Sequence, residues 1–329
     1  MNQRKSAVII GAGRISWQLE QDKLRYKPCT HLGAIATLSK KKGKMIGYEL
    51  TAIQDKNKEK VTGAISFVKK LTGVEPEPFV GAGLELLEKK PDLLILSQST
   101  ESHAEFLLKA IEYSIPKIVV EKPVCITKEE AKRVRAACKR SKSKFWINYE
   151  RRYLDRYLEL KRIIKSKELG NSLFYRAFFS APGERLFPNK KSEGVLLHDT
   201  THLVDLTQFL FGKVLSSQAE VSGVMHTLCL KHKDVQGEVL THCQADYFHF
   251  EIQIFFEQGR ARAVNGAMYL EKAEPSKSYS GFTALSKATR FKEPAMTISR
   301  NPMIRLYQDV YTGVEPNMIE DACDNVLLL

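Results

Sequence analysis

The chain has 329 residues, 43% hydrophobic and 27% charged, which is ordinary for a soluble globular protein with room for two domains. No apolar run is long enough for a membrane span, and the basic N-terminus leads straight into a predicted strand without signal-peptide anatomy, so we expect a cytoplasmic protein. The six cysteines form no CxxC pair, which argues against a zinc knuckle, and the dispersed charge of +13 suggests solvated faces or an anionic substrate rather than nucleic acid.

The first half of the chain alternates short apolar strands with helical patterns. This alternation predicts βαβ units and a doubly wound parallel sheet, an α/β fold, over residues 1–149. Thr127 is the predicted N-cap of a helix with acids in its first turn. The predicted strands cover residues 6–10, 49–53, 92–96, 117–120 and 144–147, and the predicted helices cover 57–71, 101–113 and 128–140.

The pattern changes near residue 150, and residues 150–329 read as an α+β domain with an open, largely antiparallel sheet. A helix over 153–167 and a strand over 172–180 precede a loop rich in proline and glycine. A helix from about Leu197 ends at Gly212. Residues 248–256 alternate with period 2, as in a half-buried strand, and a hairpin follows.

The first predicted strand ends in a glycine-rich loop, residues 11–16. Gly11 permits a tight turn and Gly13 lets the backbone approach a pyrophosphate, as in the Rossmann fingerprint. Ser16, at the third position, is small enough for close packing. A plain turn is the alternative, but the flanking strand and βαβ pattern favour a dinucleotide site. Its expected loop contacts are Gly11, Gly13, Arg14, Ile15 and Ser16.

Asp55 lies at the end of the second predicted strand, where a carboxylate would accept hydrogen bonds from ribose hydroxyls. It would repel a 2′-phosphate, so it favours NAD, while the adjacent Lys56 keeps NADP possible. Residues 11 and 55 are 44 positions apart, whereas about 20 is usual. We interpret the polar segment 18–28 as an insertion before a helix that starts near Thr30.

Lys122 belongs to the tripeptide Glu121-Lys122-Pro123, directly after the predicted strand 117–120. Proline biases the preceding residue toward extended geometry, and ligands of open α/β sheets bind at the carboxyl ends of strands. Lys122 is therefore well placed to hydrogen-bond a substrate hydroxyl. A solvated charge is the alternative for a lysine at the end of a strand.

His198 and His202 are four positions apart on a predicted helix and share one face, which Asp205 extends. Zinc hydrolases use this histidine spacing, but the acid here is Asp199 instead of glutamate, and a zinc site leaves the glycine loop unexplained. Histidines satisfied at a helix start are another alternative. We favour proton transfer and substrate positioning by His198, Asp199 and His202, without a metal.

Together these motifs resemble the glucose–fructose oxidoreductase / inositol dehydrogenase (Gfo/Idh/MocA) family over nearly the full chain. The resemblance implies a Rossmann domain, a C-terminal domain with an open sheet, NAD or NADP, and a sugar- or polyol-like substrate. It implies Lys122 and His202 as catalytic residues, and dimers or tetramers formed through the open sheet. The matching segments are 11–15, Asp55, 121–123, 194–205 and 313–316.

The chain departs from the family pattern at three places, the first of which is the insertion over 18–28. The family aspartate four positions before the helix histidine is His198 here, and Asp199 lies one position later, so both are candidates for its role. The family's Thr-Pro-Asn after the fourth strand is replaced by residues 98–100. The further candidate residues are Thr100 and Glu121 for the cofactor, and Asn148, Arg152 and Arg185 for the substrate.

We therefore expect an NAD(P)-dependent oxidoreductase that transfers a hydride between nicotinamide and a carbinol carbon. His202 would exchange the hydroxyl proton, with Lys122 hydrogen-bonded to the same oxygen. The rival hypothesis is a non-catalytic sensor that binds NAD(P) or a sugar and regulates a partner. The intact pair of Lys122 and His202 argues against that rival.

Overall fold

The computed structural model describes residues 5–39, 47–182, 192–314 and 318–328, without the side chains of 192–197. The predicted substrate residue Arg185 and residues 315–316 of the matching late loop lie outside these ranges. Contacts divide the chain into two units. The first is Met1–Tyr153 with Met296–Leu327, and the second is Leu154–Ala295 with the last two residues. Within the described ranges, no helix is long and apolar enough to cross a membrane.

The first unit contains a six-stranded parallel sheet with the order β3-β2-β1-β4-β5-β6. This order confirms the predicted doubly wound sheet, because the chain leaves β1 toward one edge and later crosses to the other. The edge strand β3 was absent from the prediction, since it is short, mostly exposed and contains Pro78. The strands are β1 Lys5–Ile10, β2 Tyr48–Asp55, β3 Glu77–Val80, β4 Leu93–Leu96, β5 Lys117–Val120 and β6 Lys144–Ile147.

Four helices of the first half cover this sheet, and their ends follow local sequence signals. The Thr127 hydroxyl accepts from the Glu130 backbone N–H in a complete capping box, which confirms the predicted cap. Asn57 caps α2, which ends at Gly73 with φ +78°. The helices are α1 His31–Ser39, α2 Lys58–Thr72, α3 His103–Glu112 and α4 Lys128–Arg140.

The two faces of the parallel sheet bury different cores. Val8 and Ile10 of β1 pack in the cluster that includes residues of α3 and α4. Ala7 and Ile9 pack in the opposite cluster with residues of α1 and α2. Because successive strand residues point to opposite faces, a strand covered on both sides is apolar throughout, as the run from Ala7 to Ile10 is.

Two C-terminal helices, α7 Pro302–Thr312 and α8 Ile319–Leu328, also belong to the first unit, except for Leu328 at the end of α8. Residues of α7 join the core beside α1, and residues of α8 join the core beside α4. The predicted boundary at 149/150 is close to the observed division after Tyr153. The predicted second domain, 150–329, differs from the observed second unit because residues 296–327 return to the first.

The second unit contains a mixed sheet with the main order β14-β13-β12-β11-β7-β10-β9-β8, and β15 pairs with β13. Among the strand pairs that the described residues form in this sheet, only the β7–β10 pair is parallel, which confirms the largely antiparallel prediction. The strands are β7 Ser172–Pro182, β8 Ser216–Ser222, β9 Met225–Lys231, β10 Gln236–His242, β11 Gln244–Phe256, β12 Gly259–Val264, β13 Ala267–Pro275, β14 Thr283–Leu285 and β15 Thr289–Arg290.

The helices α5 Asp155–Ser166 and α6 Ser192–Phe211 both pack on one face of this mixed sheet. The start of α6 is earlier than the predicted Leu197, because the glycine at 194 is accommodated inside the helix. The helix ends as predicted, at Gly212 with φ +84°. The Thr200 hydroxyl donates to the Thr241 hydroxyl at 2.9 Å and so joins α6 to β10.

Candidate active site

The glycine loop after β1 combines one tightly packed glycine with one open glycine. Gly11 has φ +94°, and a β-carbon at this position would lie 2.6 Å from the Cα of Gln98. Only glycine fits there, because the obstacle is backbone. A β-carbon at Gly13 would meet nothing within 4 Å, so the loop is open on that side. The loop therefore packs against the end of β4 and leaves its own backbone accessible.

Ser16 occupies the third fingerprint position without disturbing the loop. Its hydroxyl is buried and donates to the carbonyl of Gly11, and it lies 3.0 Å from the hydroxyl of Ser97. The Ser97 hydroxyl in turn contacts the Gly11 carbonyl at 2.9 Å. A serine is tolerated here because its polar group is satisfied inside the loop, which ties β1 to β4.

The insertion predicted over 18–28 interrupts the first turn of the helix after the loop. The backbone N–H groups of His31 and Leu32 donate to the carbonyls of Ile15 and Ser16, so α1 continues the turn that the loop begins. Glu20 fixes the inserted segment between the loop and the helix. Its carboxylate accepts from the backbone N–H of Cys29 at 2.6 Å and of Thr30 at 3.0 Å. The helix start facing the glycine loop is thereby preserved despite the extra residues.

Asp55 ends β2, as predicted, and its carboxylate faces the glycine loop. Oδ2 accepts from the Ala12 backbone N–H at 2.9 Å, and Oδ1 accepts from the Asn57 N–H at 2.9 Å. The residue is partly exposed. A carboxylate fixed beside the loop is able to accept hydrogen bonds from ribose hydroxyls.

Lys122 follows β5 at the carboxyl edge of the sheet and is partly buried. The residues on both sides of it are fixed by buried histidines. Nε2 of His31 lies 2.9 Å from Oε1 of Glu121, and Nδ1 of His103 lies 2.8 Å from the carbonyl oxygen of Pro123. The backbone that carries the lysine is thus held from two directions.

The carboxylate of Glu121 is the centre of a buried polar network. Asn148 Nδ2 donates to Oε1 at 2.5 Å, and the second ring nitrogen of His31 lies 2.7 Å from the Tyr307 hydroxyl. Burial alone would raise the pKa of Glu121, but His31, Asn148 and the charge of Lys122 hold this pKa below its usual value. Since a carboxylate only accepts, Nε2 of His31 carries the proton.

The segment after β4 carries Gln98 and Thr100, the latter in a short 3₁₀ turn. The ring of His103 lies between two carbonyl oxygens, that of Pro123 and, at 3.2 Å from Nε2, that of Gln98. Burial lowers the pKa of His103, although the hydrogen bonds to the two carbonyl oxygens oppose this shift. This histidine joins the β4 and β5 ends of the sheet.

In the second unit, the predicted histidines occupy one face of α6, as their spacing requires. Nδ1 of His198 lies 3.0 Å from Oδ1 of Asp199, and both side chains are partly exposed. His202 is partly buried and Asp205 is almost fully buried. Across the described residues, no group of three or more His, Cys, Asp or Glu side chains is arranged to hold a metal ion.

The remaining substrate candidates differ in their surroundings. Asn148 is buried after β6 and bonded to Glu121. The Arg152 guanidinium donates to Asp321 of α8 at 3.0 Å, an ion pair inside the first unit. His31 and His103 could not be found from the sequence, because a lone histidine near an apolar segment has no distinguishing spacing.

A Rossmann unit with an open glycine loop, joined to a mixed-sheet unit with a histidine-bearing helix, defines a class of dinucleotide-binding oxidoreductases. The chain belongs to the Gfo/Idh/MocA oxidoreductase family. Residues 5–149 match the family's model of the NAD-binding Rossmann fold, and residues 157–262 match its model of the C-terminal domain. These matches confirm the resemblance and NAD as the family's cofactor.

Several known proteins are similar to the chain. A scyllo-inositol 2-dehydrogenase (NAD(+)) of Bacillus subtilis is 24% identical over 159 residues, which are 47% of this chain and 45% of that protein. A glucose-6-phosphate 3-dehydrogenase of the same species is 28% identical over 216 residues, 63% of this chain and 54% of that protein. The chain thus spans about half the length of the curated relatives it matches.

Solved structures share the fold along almost the whole chain. Levoglucosan dehydrogenase, solved in complex with NADH, has a TM-score of 0.75 at 16% identity and covers 99% of this chain and 95% of its own. A dehydrogenase from Chromobacterium violaceum has a TM-score of 0.74 at 15% identity, with 99% and 93% covered. At these identities the likeness establishes the fold alone.

Proposed function

We propose that this protein is an NAD-dependent dehydrogenase that oxidises or reduces a carbinol carbon of a sugar- or polyol-like substrate. The observation that carries the proposal is the position of Lys122. Its amine follows β5 at the carboxyl edge of a Rossmann sheet, and His103 links its segment to the β4 loop that packs on Gly11. Ligands of such sheets bind at this edge.

The role of Lys122 is to donate a hydrogen bond to the substrate oxygen and so stabilise the charge that develops there. Its backbone is held by the buried bonds to Glu121 and Pro123, which limits the reorganisation that catalysis requires.

His202 is the proposed proton-transfer group. His202 takes the hydroxyl proton during oxidation and returns it during reduction, which an imidazole does efficiently near neutral pH. His198 orients substrate hydroxyls, and Asp199, 3.0 Å from its ring, fixes the tautomer. In this chain the two adjacent residues together fill the role of the family aspartate.

The dinucleotide fits the residues present: the loop is open at Gly13, and the Asp55 carboxylate lies beside it. When bound, NAD supplies the hydride acceptor, while the substrate proton goes to His202. Gly13, Arg14 and Ile15 hold the pyrophosphate side, and Asp55 holds the adenosine ribose and disfavours a 2′-phosphate. Thr100 borders the nicotinamide side.

We also propose that copies of the chain associate through the face of the mixed sheet that α5 and α6 do not cover. This face carries the partly exposed aromatic rings of Phe174, Phe178 and Phe255, the first and last with centroids 6.2 Å apart. Light scattering after size exclusion should give a dimer or tetramer. A monomer at working concentration would contradict this proposal.

NADH formation should be measured with inositols, hexoses and hexose phosphates, because the curated relatives act on an inositol or a glucose phosphate by their names. Turnover with at least one of them supports the proposal. Tight NAD binding without turnover across the panel, and without loss in Lys122→Ala, would instead support a sensor.

A further inference from the structure

Gln98 lies where the nicotinamide half of the cofactor is expected. It follows β4, and β4 pairs with β1 on the side opposite to β2, which ends in Asp55. In doubly wound sheets the adenosine ribose lies at the strand bearing the acid, and the other half of the dinucleotide extends across the switch point. Gln98 therefore belongs to the nicotinamide side.

The backbone of Gln98 is held on two sides. Its Cα lies so close to Gly11 that a β-carbon there would be 2.6 Å away, and its carbonyl oxygen lies 3.2 Å from the His103 ring. The side chain of Gln98 therefore extends from a fixed backbone position between the glycine loop and the segment of Lys122. A residue anchored in this way can present its amide with little loss of freedom on binding.

The side-chain amide of Gln98 is shielded from water but unsatisfied. Within the described parts of the chain, neither Oε1 nor Nε2 has a hydrogen-bond partner, although both atoms are buried. The same is true of Oδ1 of Asn148, which follows β6 on the other side of Lys122. Buried polar groups without partners are rare in folded proteins and destabilise them. A ligand that bonds to them removes that penalty.

The ligand chemistry follows from the two unsatisfied atoms. A primary amide presents one acceptor and a donor group side by side, so its best complement is another primary amide in reverse orientation. Adenine can also be bound by glutamine in this way, but the adenosine end lies on the Asp55 side. The nicotinamide ring carries a primary carboxamide.

We propose that Gln98 binds the nicotinamide carboxamide, its Oε1 accepting from the carboxamide NH₂ and its Nε2 donating to the carboxamide oxygen. This inference rests on the proposed NAD-dependent function and adds a residue that the family pattern does not supply. The paired amides fix the rotation of the ring, so Gln98 is a specificity-determining contact for the nicotinamide.

Calorimetric dissociation constants test the inference with three ligands: NADH, its 3-acetylpyridine analogue, in which a methyl group replaces the NH₂, and ADP-ribose, which lacks the ring. The wild type should bind NADH about tenfold more tightly than the analogue. Gln98→Met keeps the length of the side chain but removes its polar atoms. This variant should bind NADH about tenfold more weakly, and it should no longer prefer NADH to the analogue. ADP-ribose should bind equally to both proteins.

Gln218→Met, an exposed substitution on β8 of the second unit, is the matched control and should leave all three constants unchanged. Unchanged NADH affinity and an unchanged preference in Gln98→Met would overturn the inference. A tenfold loss of affinity for ADP-ribose in Gln98→Met would also overturn the inference, because Gln98 would then support the glycine loop instead of binding the nicotinamide ring. If the wild type binds neither NADH nor ADP-ribose, the proposed function fails, and the inference fails with it.

Discussion

Replacing His31 with alanine should destabilise the first unit by about 3 kcal/mol. The ring is fully buried and lies between the Glu121 carboxylate at 2.9 Å and the Tyr307 hydroxyl at 2.7 Å. A hydrogen bond to a charged group contributes about 1.5–3 kcal/mol, and one between neutral groups contributes about 0.5–1.5 kcal/mol. The truncation removes one of each and leaves the buried carboxylate with less support.

Tryptophan fluorescence during urea unfolding is a suitable assay for this prediction. Both tryptophans of the chain, Trp17 and Trp146, belong to the first unit, so the signal reports on that unit. His242→Ala is the control, because His242 is a partly exposed residue of the second unit. We expect the control to change the free energy of unfolding by less than about 0.5 kcal/mol. A loss below about 1 kcal/mol in His31→Ala would refute the reasoning.

A double-mutant cycle with Glu121→Gln separates the charge from the packing. In the His31→Ala background the carboxylate is buried without its main partner, so neutralising it should be nearly neutral or stabilising. In the wild-type background the same change should destabilise. The coupling between the two sites should be about 2 kcal/mol, and additive effects would show that His31 does not support the Glu121 charge.

The same network gives a pH dependence with a definite sign. The folded state holds the pKa of Glu121 below its usual value of 4.5. A carboxyl group with a lowered folded pKa contributes stability above its unfolded pKa and loses it as the pH falls through the folded pKa. The stability difference between wild type and Glu121→Gln should therefore be largest near neutral pH and shrink below 4.5. A stability difference that grows as the pH falls would contradict this prediction.

Three further predictions concern the cofactor and the chemistry. Lys122→Ala should lower kcat by about two to four orders of magnitude, while the affinity for NAD changes only a few-fold. The control Lys128→Ala, at an exposed position, should change neither kcat nor the affinity for NAD. A Lys122→Ala variant that retains most of its kcat would exclude the proposed role of Lys122. Calorimetry should show tighter binding of NADH than of NADPH, with Asp55→Ala reducing the difference; a preference for NADPH would mean that Lys56 or the insertion governs the pocket. Gly11→Ala should weaken NADH and ADP-ribose alike by at least about tenfold, because the backbone of Gln98 cannot retreat from the new methyl group, and intact binding would show that the loop can rearrange.

Elements with strong local signals were predictable from the sequence to the residue. The strands 117–120 and 144–147 and the helix 128–140 agree with the structure at both ends. In the helix, the capping box places the start, and the last turn carries basic residues. The structure adds α7, whose Asn301 cap and Pro302 at the first turn are recognisable signals in retrospect.

The polar network of the site was beyond the reach of sequence patterns. Its members come from positions 31, 98, 103, 121, 148 and 307, and their contacts depend on tertiary packing, not on spacing. Glu121 was predicted as a cofactor contact, and the structure shows its carboxylate bonded to His31 and Asn148. The direct contact with cofactor stays a prediction. His31 is separated from the glycine loop by the insertion, which hides its place in the first turn of α1.

The returning helix α7 links the end of the chain to the chemistry of its first half. Tyr307 lies within α7 and is fully buried, and its hydroxyl is 2.7 Å from His31. Burial and the nearby Glu121 raise the pKa of Tyr307, so the phenol keeps its proton beside the His31 ring. The chain of hydrogen bonds runs from Tyr307 through His31 to the carboxylate beside Lys122. A helix that the sequence assigns to the second domain therefore orients the residues that hold the proposed catalytic lysine.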